Sequence, residues 1–327
     1  MPASIDGLRF PAQRVILPRT RLAYIHVANL LNDAKRERAS RVFGYVAIWL
    51  PEEVILLYLQ EGEVVTATRT VDGKAYAVLP IAEALSHVPA QPEFGWLSFN
   101  EAADEQLACM YQAQVRPDLG WPAELVVEQP KKLFPYLMAT TFDGMLEVVA
   151  DDAANYLIFK DGVVKRAYLA ADESASPVDH VAALFARGST RHPLRVRRWE
   201  VARPLPVQAK PQLIAAYREL VHGLVVRLVS EGAESAPAIA EAARTTLVTQ
   251  HEVLGCFAVS GRTMKDPAAD TATLTAGIAA WISELLWTTS ASADTPPERL
   301  LRETMWERRH LYASAGLTDA LPWRVHW

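Results

Sequence analysis

Residues 156–167 read YLIFKDGVVKRA. Two apolar runs flank Asp161-Gly162. Asp-Gly favours a two-residue hairpin, because both central residues of a type I′ turn need positive φ, which Gly adopts freely and Asp tolerates. About a hundred residues earlier, LYLQEGEVVTA (57–67) has the same shape, with Glu61-Gly62 as a weaker form of the same turn. The recurrence decides the fold.

With Gly44 placed over Gly144, GYVAIWLPEEVILLYLQEGEVVTATR lies over GMLEVVADDAANYLIFKDGVVKRAYL without a gap. Gly44, Leu57, Gly62, Val64 and Ala67 recur as Gly144, Leu157, Gly162, Val164 and Ala167. Ile48 faces Val148, Leu59 faces Phe159, and Glu61 faces Asp161. Upstream, residues 25–43 face 126–143, each a short extended piece and then a helix. Downstream, PIAEALSHV (80–88) faces HVAALFARG (180–188) as helices, and GWLSF (95–99) faces RVRRW (195–199) as strands ending in an aromatic. Each unit reads as helix, three-strand meander, helix, strand. The units are placed at 22–118 and 122–208, after an N-terminal extension at 1–21. Breaker-rich residues from Arg116 to Pro122 separate them.

After Pro204 the period changes to that of helices. Pro211 opens a first helix with Ile214, Tyr217, Val221, Leu224 and Leu228 on one face. A second starts near Ser235 and carries Ile239, Ala243 and Leu247, with an apolar run that extends toward Phe257. A third opens at Asp266-Pro267 and runs through Leu274, Ile278, Trp281 and Leu285. A fourth opens at Thr295-Pro-Pro-Glu298, which fits a capping box. Trp281 and Trp287 read as bundle core. Trp323 and Trp327 lie in a short tail that docks either back onto the body or into a partner. The expected fold class is α+β: two tandem repeats followed by an all-α domain at 209–327.

The chain has 327 residues, half of them hydrophobic, and a formal net charge of -5. That charge disfavours a nucleic-acid partner. Cys109 and Cys256 are the two cysteines, too few for a disulfide framework, and a reducing cytoplasm is the simple expectation. The first residues contain no apolar core of signal-peptide length, and no window approaches the roughly 18 apolar residues of a membrane span.

Catalytic and metal signatures are absent from the sequence. It has no HExxH, CxxC, GxSxG, GxGxxG or Walker motif, and the eight histidines are scattered. Neither a cofactor nor a metal is expected. The acids Glu52-Glu53, Glu61/Glu63 and Asp151-Asp152 read as solvated turn residues, and Gly62, Asp161 and Gly162 as structural turns. The partner-binding candidates are Arg187, Arg191, Arg195, Arg197 and Arg198, with Lys165 and Arg166 on a neighbouring strand. In LRVRRW, Leu194 and Val196 alternate with Arg195 and Arg197, which predicts one cationic strand face for an acidic protein surface. Charge on a strand also protects a sheet edge.

The pattern of a helix, G-[YM]-[VL]-x-[IV], L-x-[LF]-x-[DE]-G-x-V-x-x-A, a helix and a closing strand resembles the PATAN domain, a bacterial signalling-associated family of unknown function. The matching residues run from Gly44 to Ala67 and from Gly144 to Ala167. The resemblance implies a non-enzymatic role in protein–protein interaction, with no catalytic residues to carry over. The chain departs from the commonest arrangement in having no receiver domain, no phosphoacceptor pattern and an unassigned helical part. The resulting expectation is a cytoplasmic bacterial signalling adaptor or scaffold whose helical domain supplies oligomerisation or a second contact. The alternative is a sensor with a small ligand between the helices of that domain.

Overall fold

A computed structural model of the chain describes residues 8–36, 42–71, 75–89, 94–150, 152–170, 181, 183–185, 194–260, 264–289 and 295–327. The fold is mixed α+β, with two antiparallel sheets followed by helices. The chain divides into two compact units. One is drawn from residues 1–79 and 86–205, the other from 80–85 and 206–327. Both repeats, apart from residues 80–85 and 206–208, fall in the first unit.

The first sheet contains β1 (Arg14–Arg21), β2 (Gly44–Trp49), β3 (Glu53–Gln60), β4 (Glu63–Val71), β5 (Ala75–Leu79) and β6 (Trp96–Glu101), in the order β1-β6-β2-β3-β4-β5. Three helices accompany it in sequence: α1 (Val27–Arg36), α2 (Ile81–Ser86) and α3 (Asp104–Val115). The second repeat has α4 (Pro130–Ala139), then β7 (Gly144–Ala150), β8 (Ala153–Lys160), β9 (Val163–Tyr168) and β10 (Arg195–Trp199), in the sheet order β10-β7-β8-β9. The second sheet therefore repeats the β6-β2-β3-β4 portion of the first.

The duplication extends to register. Gly44 pairs with Leu59 and Gly144 with Phe159, while Leu57 pairs with Ala67 and Leu157 with Ala167. A register shift falls at Tyr58/Leu59 in one copy and at Ile158/Phe159 in the other. The hairpin tips have the positive φ that their residues predict: 50° and 77° at Glu61-Gly62, 53° and 73° at Asp161-Gly162. Gly62 N–H donates to Val42 O and Gly162 N–H to Phe142 O, at 2.9 and 3.0 Å. A Cβ on Gly62 would lie 2.2 Å from Ala34 O, and one on Gly162 would lie 2.5 Å from Leu137 O. The shared glycine thus serves both the turn and the helix that lies against it.

One expected pairing is corrected. The structure matches Trp199 to Asn100, not to Phe99, because Met145 pairs with Trp199 as Tyr45 pairs with Asn100. The slip is one residue, and in a strand one residue exchanges the two faces.

Away from α3, the second sheet packs Leu146, Val148, Phe159 and Val196 against Leu133 and Leu137 of α4. Helical Val181, Leu184 and Phe185 join this cluster. The other faces of both sheets share one core. Tyr45, Leu56 and Tyr58 come from the first sheet, Met145, Tyr156 and Trp199 from the second, and Leu107 and Met110 from α3. The N-terminal extension is integral to this unit. β1 pairs with β6, Arg9 N–H donates to Asp152 O at 2.9 Å, and Tyr45 Oη donates to Pro11 O at 2.9 Å.

The second unit contains α5 (Pro211–Ser230), α6 (Ala236–Leu247), a 3-10 turn at Glu252–Cys256, α7 (Thr271–Thr289), α8 (Pro297–Met305), α9 (Arg309–Ser314) and α10 (Leu317–Ala320). Its interior holds Tyr217, Phe257, Trp281 and Tyr312. The polar atoms of the large residues are satisfied internally. Trp281 Nε1 donates to Ala240 O at 2.8 Å, Tyr312 Oη to Ala216 O at 3.0 Å, and Tyr217 Oη meets Thr275 Oγ1 at 2.7 Å.

Local expectations in this unit are corrected. The second helix stops at Leu247 rather than continuing to Phe257. Asp266 does not cap a helix but binds Arg218 at 2.7 Å, and Asp270 caps α7 by accepting from Thr273 N–H at 2.8 Å. Pro296, not Thr295, is the N-cap of α8, so no capping box forms. Trp287 is 59% exposed and lies outside the core. Among the described residues, no helix is long and apolar enough to cross a membrane.

Candidate functional site

The cationic residues singled out from the sequence do not form one surface. Arg187 and Arg191 lie outside the described residues. Strand alternation puts Arg195 and Arg197 with Trp199 on the α3 side of β10, and Arg198 with Val196 on the α4 side. Arg195 is exposed. Arg197 donates from Nε and Nη2 to Glu147 Oε2, at 2.9 and 2.6 Å, and its guanidinium lies 4.9 Å from the Trp199 ring centroid. Arg198 donates from Nε to Gly120 O at 2.7 Å and stacks 4.7 Å above Trp121. These two arginines are consumed by the fold. A lone acid inside the buried strand GMLEVV was the signal for Glu147, since a buried carboxylate requires a cation.

Lys165 and Arg166 do lie together. Both project from β9 into the lining of a cleft of about 430 Å³ in the first unit. Glu105 and Cys109 of α3 form one wall, and Lys160, Lys165 and Arg166 of the β8–β9 hairpin form another. Met145, Ile158 and Val201 supply apolar lining. Lys165 is the extra residue of the register shift, since Ile158 pairs with Arg166 and Phe159 with Val164. A bulge of this kind re-aims a side chain, which brings two successive cations to the cleft.

The charges in the cleft differ in state. Arg166 Nη1 and Tyr168 Oη both donate to Glu105 Oε2, at 2.7 and 3.0 Å. Burial, then the bond to Glu105, pushes the Tyr168 phenol up to about 12. Asp143 accepts from Asp161 N–H at 2.6 Å. Lys160 and Lys165 are exposed, and among the described residues neither side chain has a hydrogen bond or an ion pair. Burial, reinforced by Glu105, pushes the Cys109 thiol up to about 12. At neutral pH it is a protonated thiol and a poor nucleophile.

The same positions in the first repeat are occupied. Gln60, the counterpart of Lys160, donates from Nε2 to Asp104 Oδ1 at 2.7 Å. Tyr58 and Thr68, the counterparts of Ile158 and Tyr168, both donate to Gln114 Oε1, at 2.8 and 2.5 Å. Thr66, the counterpart of Arg166, is bonded to Tyr111. The first repeat is thus clamped by α3 along its length. This role of α3 was not legible in the sequence, and neither was the cleft.

The remaining candidates are structural. Glu53 pairs with His87 at 3.0 Å and with Arg69 at 3.6 Å. Asp152 and Asp161 are turn residues with positive φ, and Asp151 lies outside the described residues. Among the described residues, no three His, Cys, Asp or Glu side chains gather to hold a metal ion. No protein-family model, curated protein or solved structure matches the chain.

Proposed function

We propose that the chain is a non-enzymatic adaptor of tandem PATAN-like repeats, binding protein partners in a bacterial cytoplasm through the cleft on its second repeat. One observation carries this reading: among the described residues the Lys160 and Lys165 side chains have no partner, and they stand beside an apolar lining, where in the first repeat Gln60 holds the start of α3. Unpaired cations next to apolar surface suit an acidic, partly apolar protein surface. The thiol in the wall is protonated, which favours binding over nucleophilic chemistry. The alternative of a ligand sensor in the helical unit has less support, because the large interior side chains there bond one another's backbone or hydroxyls.

Affinity capture with the full-length protein tests the proposal, comparing wild type with the Lys160→Glu/Lys165→Glu double variant. Specific partners should be lost with the double variant and retained by Arg195→Glu. Equal recovery by wild type and the double variant would remove the cleft from the proposal.

A further inference from the structure

We propose that the cleft receives the acidic first turn of an amphipathic α-helix from a partner protein, seated on the second repeat much as α3 is seated on the first. The inference rests on the adaptor reading and names the chemistry of the partner.

The argument begins from the duplication. The two sheets share strand order, register and bulge, so position 60 maps onto 160, 58 onto 158 and 66 onto 166. In the first repeat these positions hold a helix. Gln60 reaches Asp104, the first residue of α3, and Tyr58 reaches Gln114 near its other end. In the second repeat Arg166 and Tyr168 also reach α3, through Glu105, while Ile158, Lys160 and Lys165 line the cleft beside that helix. A helix is therefore an occupant that this sheet geometry already accommodates.

Charge selects what such a helix carries at its start. Where Gln60 meets Asp104 through a neutral amide, the second repeat has Lys160, with Lys165 in place of Val65. An incoming first turn must then carry acids. Without them, the partial positive charge at the helix start would face two ammonium groups. Acids in the first turn both stabilise the helix and neutralise Lys160 and Lys165. The apolar side of such a helix would lie on Ile158 and Met145.

Fluorescence anisotropy with the full-length protein tests this. The probe is a labelled, lactam-locked amphipathic peptide of about 14 residues whose first turn carries three acids. Its control replaces those acids with the matching amides. The acidic peptide should bind saturably. Lys160→Gln/Lys165→Gln should weaken it by about tenfold, and the double charge reversal to Glu by more. The proposal is overturned if the amide peptide binds equally, or if the lysine variants bind like wild type. It is also overturned if no saturation occurs by about 1 mM peptide. Displacement by inorganic phosphate at a concentration equal to that of the peptide would mark a small-anion site and overturn it too. Both lysines are exposed, so the variants should keep the wild-type melting temperature. If captured partners depend on Lys160 and Lys165 but the acidic peptide fails, the helix inference falls and the adaptor reading stands. If the peptide binds but capture is unaffected by the lysine variants, the adaptor reading falls instead.

Discussion

Arg197 is committed to Glu147. Two of its nitrogens reach the same carboxylate oxygen, at 2.9 and 2.6 Å, and Glu147 is only 4% exposed. Removing Arg197 strands the Glu147 charge in the shared core of the two sheets, at a cost of about 3–5 kcal/mol. Arg197→Ala should therefore lower the urea midpoint strongly. Replacing both residues by apolar ones of similar volume should recover most of the loss. A small effect of Arg197→Ala would contradict the pairing. Reversing Arg197 to Glu is a folding experiment and a poor probe of partner binding.

Gly162 should be intolerant of any side chain. Its φ is +73°, and a new Cβ would lie 2.5 Å from Leu137 O and from Met138 Cα. Both are backbone atoms of α4, which cannot move aside as a flexible side chain can. Gly162→Ala should cost well over about 1 kcal/mol, the usual penalty for a residue forced into left-handed geometry. Asp161→Gly, at φ 53°, relieves that strain while loosening the unfolded chain, so the two effects offset to within about 1 kcal/mol. Paired urea titrations would expose the contrast, and equal effects would contradict the geometry.

The repeat was legible because its determinants are local. Hairpin dipeptides and small residues at backbone contacts keep their spacing in both copies. The closing strand was less legible, because its register slips by one residue between the copies, so that Trp199 matches Asn100 and not Phe99. In the sequence, Arg197 looked like part of a cationic surface, whereas its position opposite Glu147 turns it inward. The packing role of α3 was hidden for a different reason. DEQLACMYQAQV buries Gln106 and Gln112 as well as Leu107, Cys109 and Met110, so no clean polar stripe marks it as a helix between apolar surfaces. The cleft combines that helix with a hairpin about fifty residues away, and of its two exposed lysines the sequence singled out only Lys165.

Alkaline pH should destabilise the protein. Burial pushes the Cys109 thiol from 9.0 to about 12, and the phenols of Tyr168 and Tyr312 from 10.0 to about 12. Tyr45 is raised as well, again by burial. All of these groups hold their protons more tightly when folded. As pH rises past about 9, the unfolded chain releases protons first, so it binds fewer than the native state and stability falls. Below about 9 the contribution is complete, and it is lost progressively toward about 12. The urea midpoint should drop between about pH 8 and about pH 12, which spans that window. A thiol reagent at neutral pH should reach Cys109 only after unfolding. Rapid native labelling of Cys109 would contradict its burial.

The C-terminal tail docks on its own helical unit, which yields a last prediction. Trp323 is 8% exposed, and its ring centroid lies 5.1 Å from that of Trp287, at an interplanar angle of 39°. Leu317 and Leu321 belong to the same core, and Val325 packs against it. Truncating a buried Trp leaves a cavity and costs about 3 kcal/mol. Trp323→Ala should therefore lower the melting temperature of the helical unit by several degrees. Trp287 is 59% exposed, so Trp287→Ala should cost only about 1 kcal/mol, mostly the lost aromatic contact. The double variant should cost less than the sum of the two, with a coupling of about 0.5–1.5 kcal/mol. A tail that instead serves a partner makes the opposite demand: Trp323→Ala would then leave stability untouched and change only what the protein binds. Thermal melts of the three variants, read beside their elution on size exclusion, decide between docking in cis and in trans.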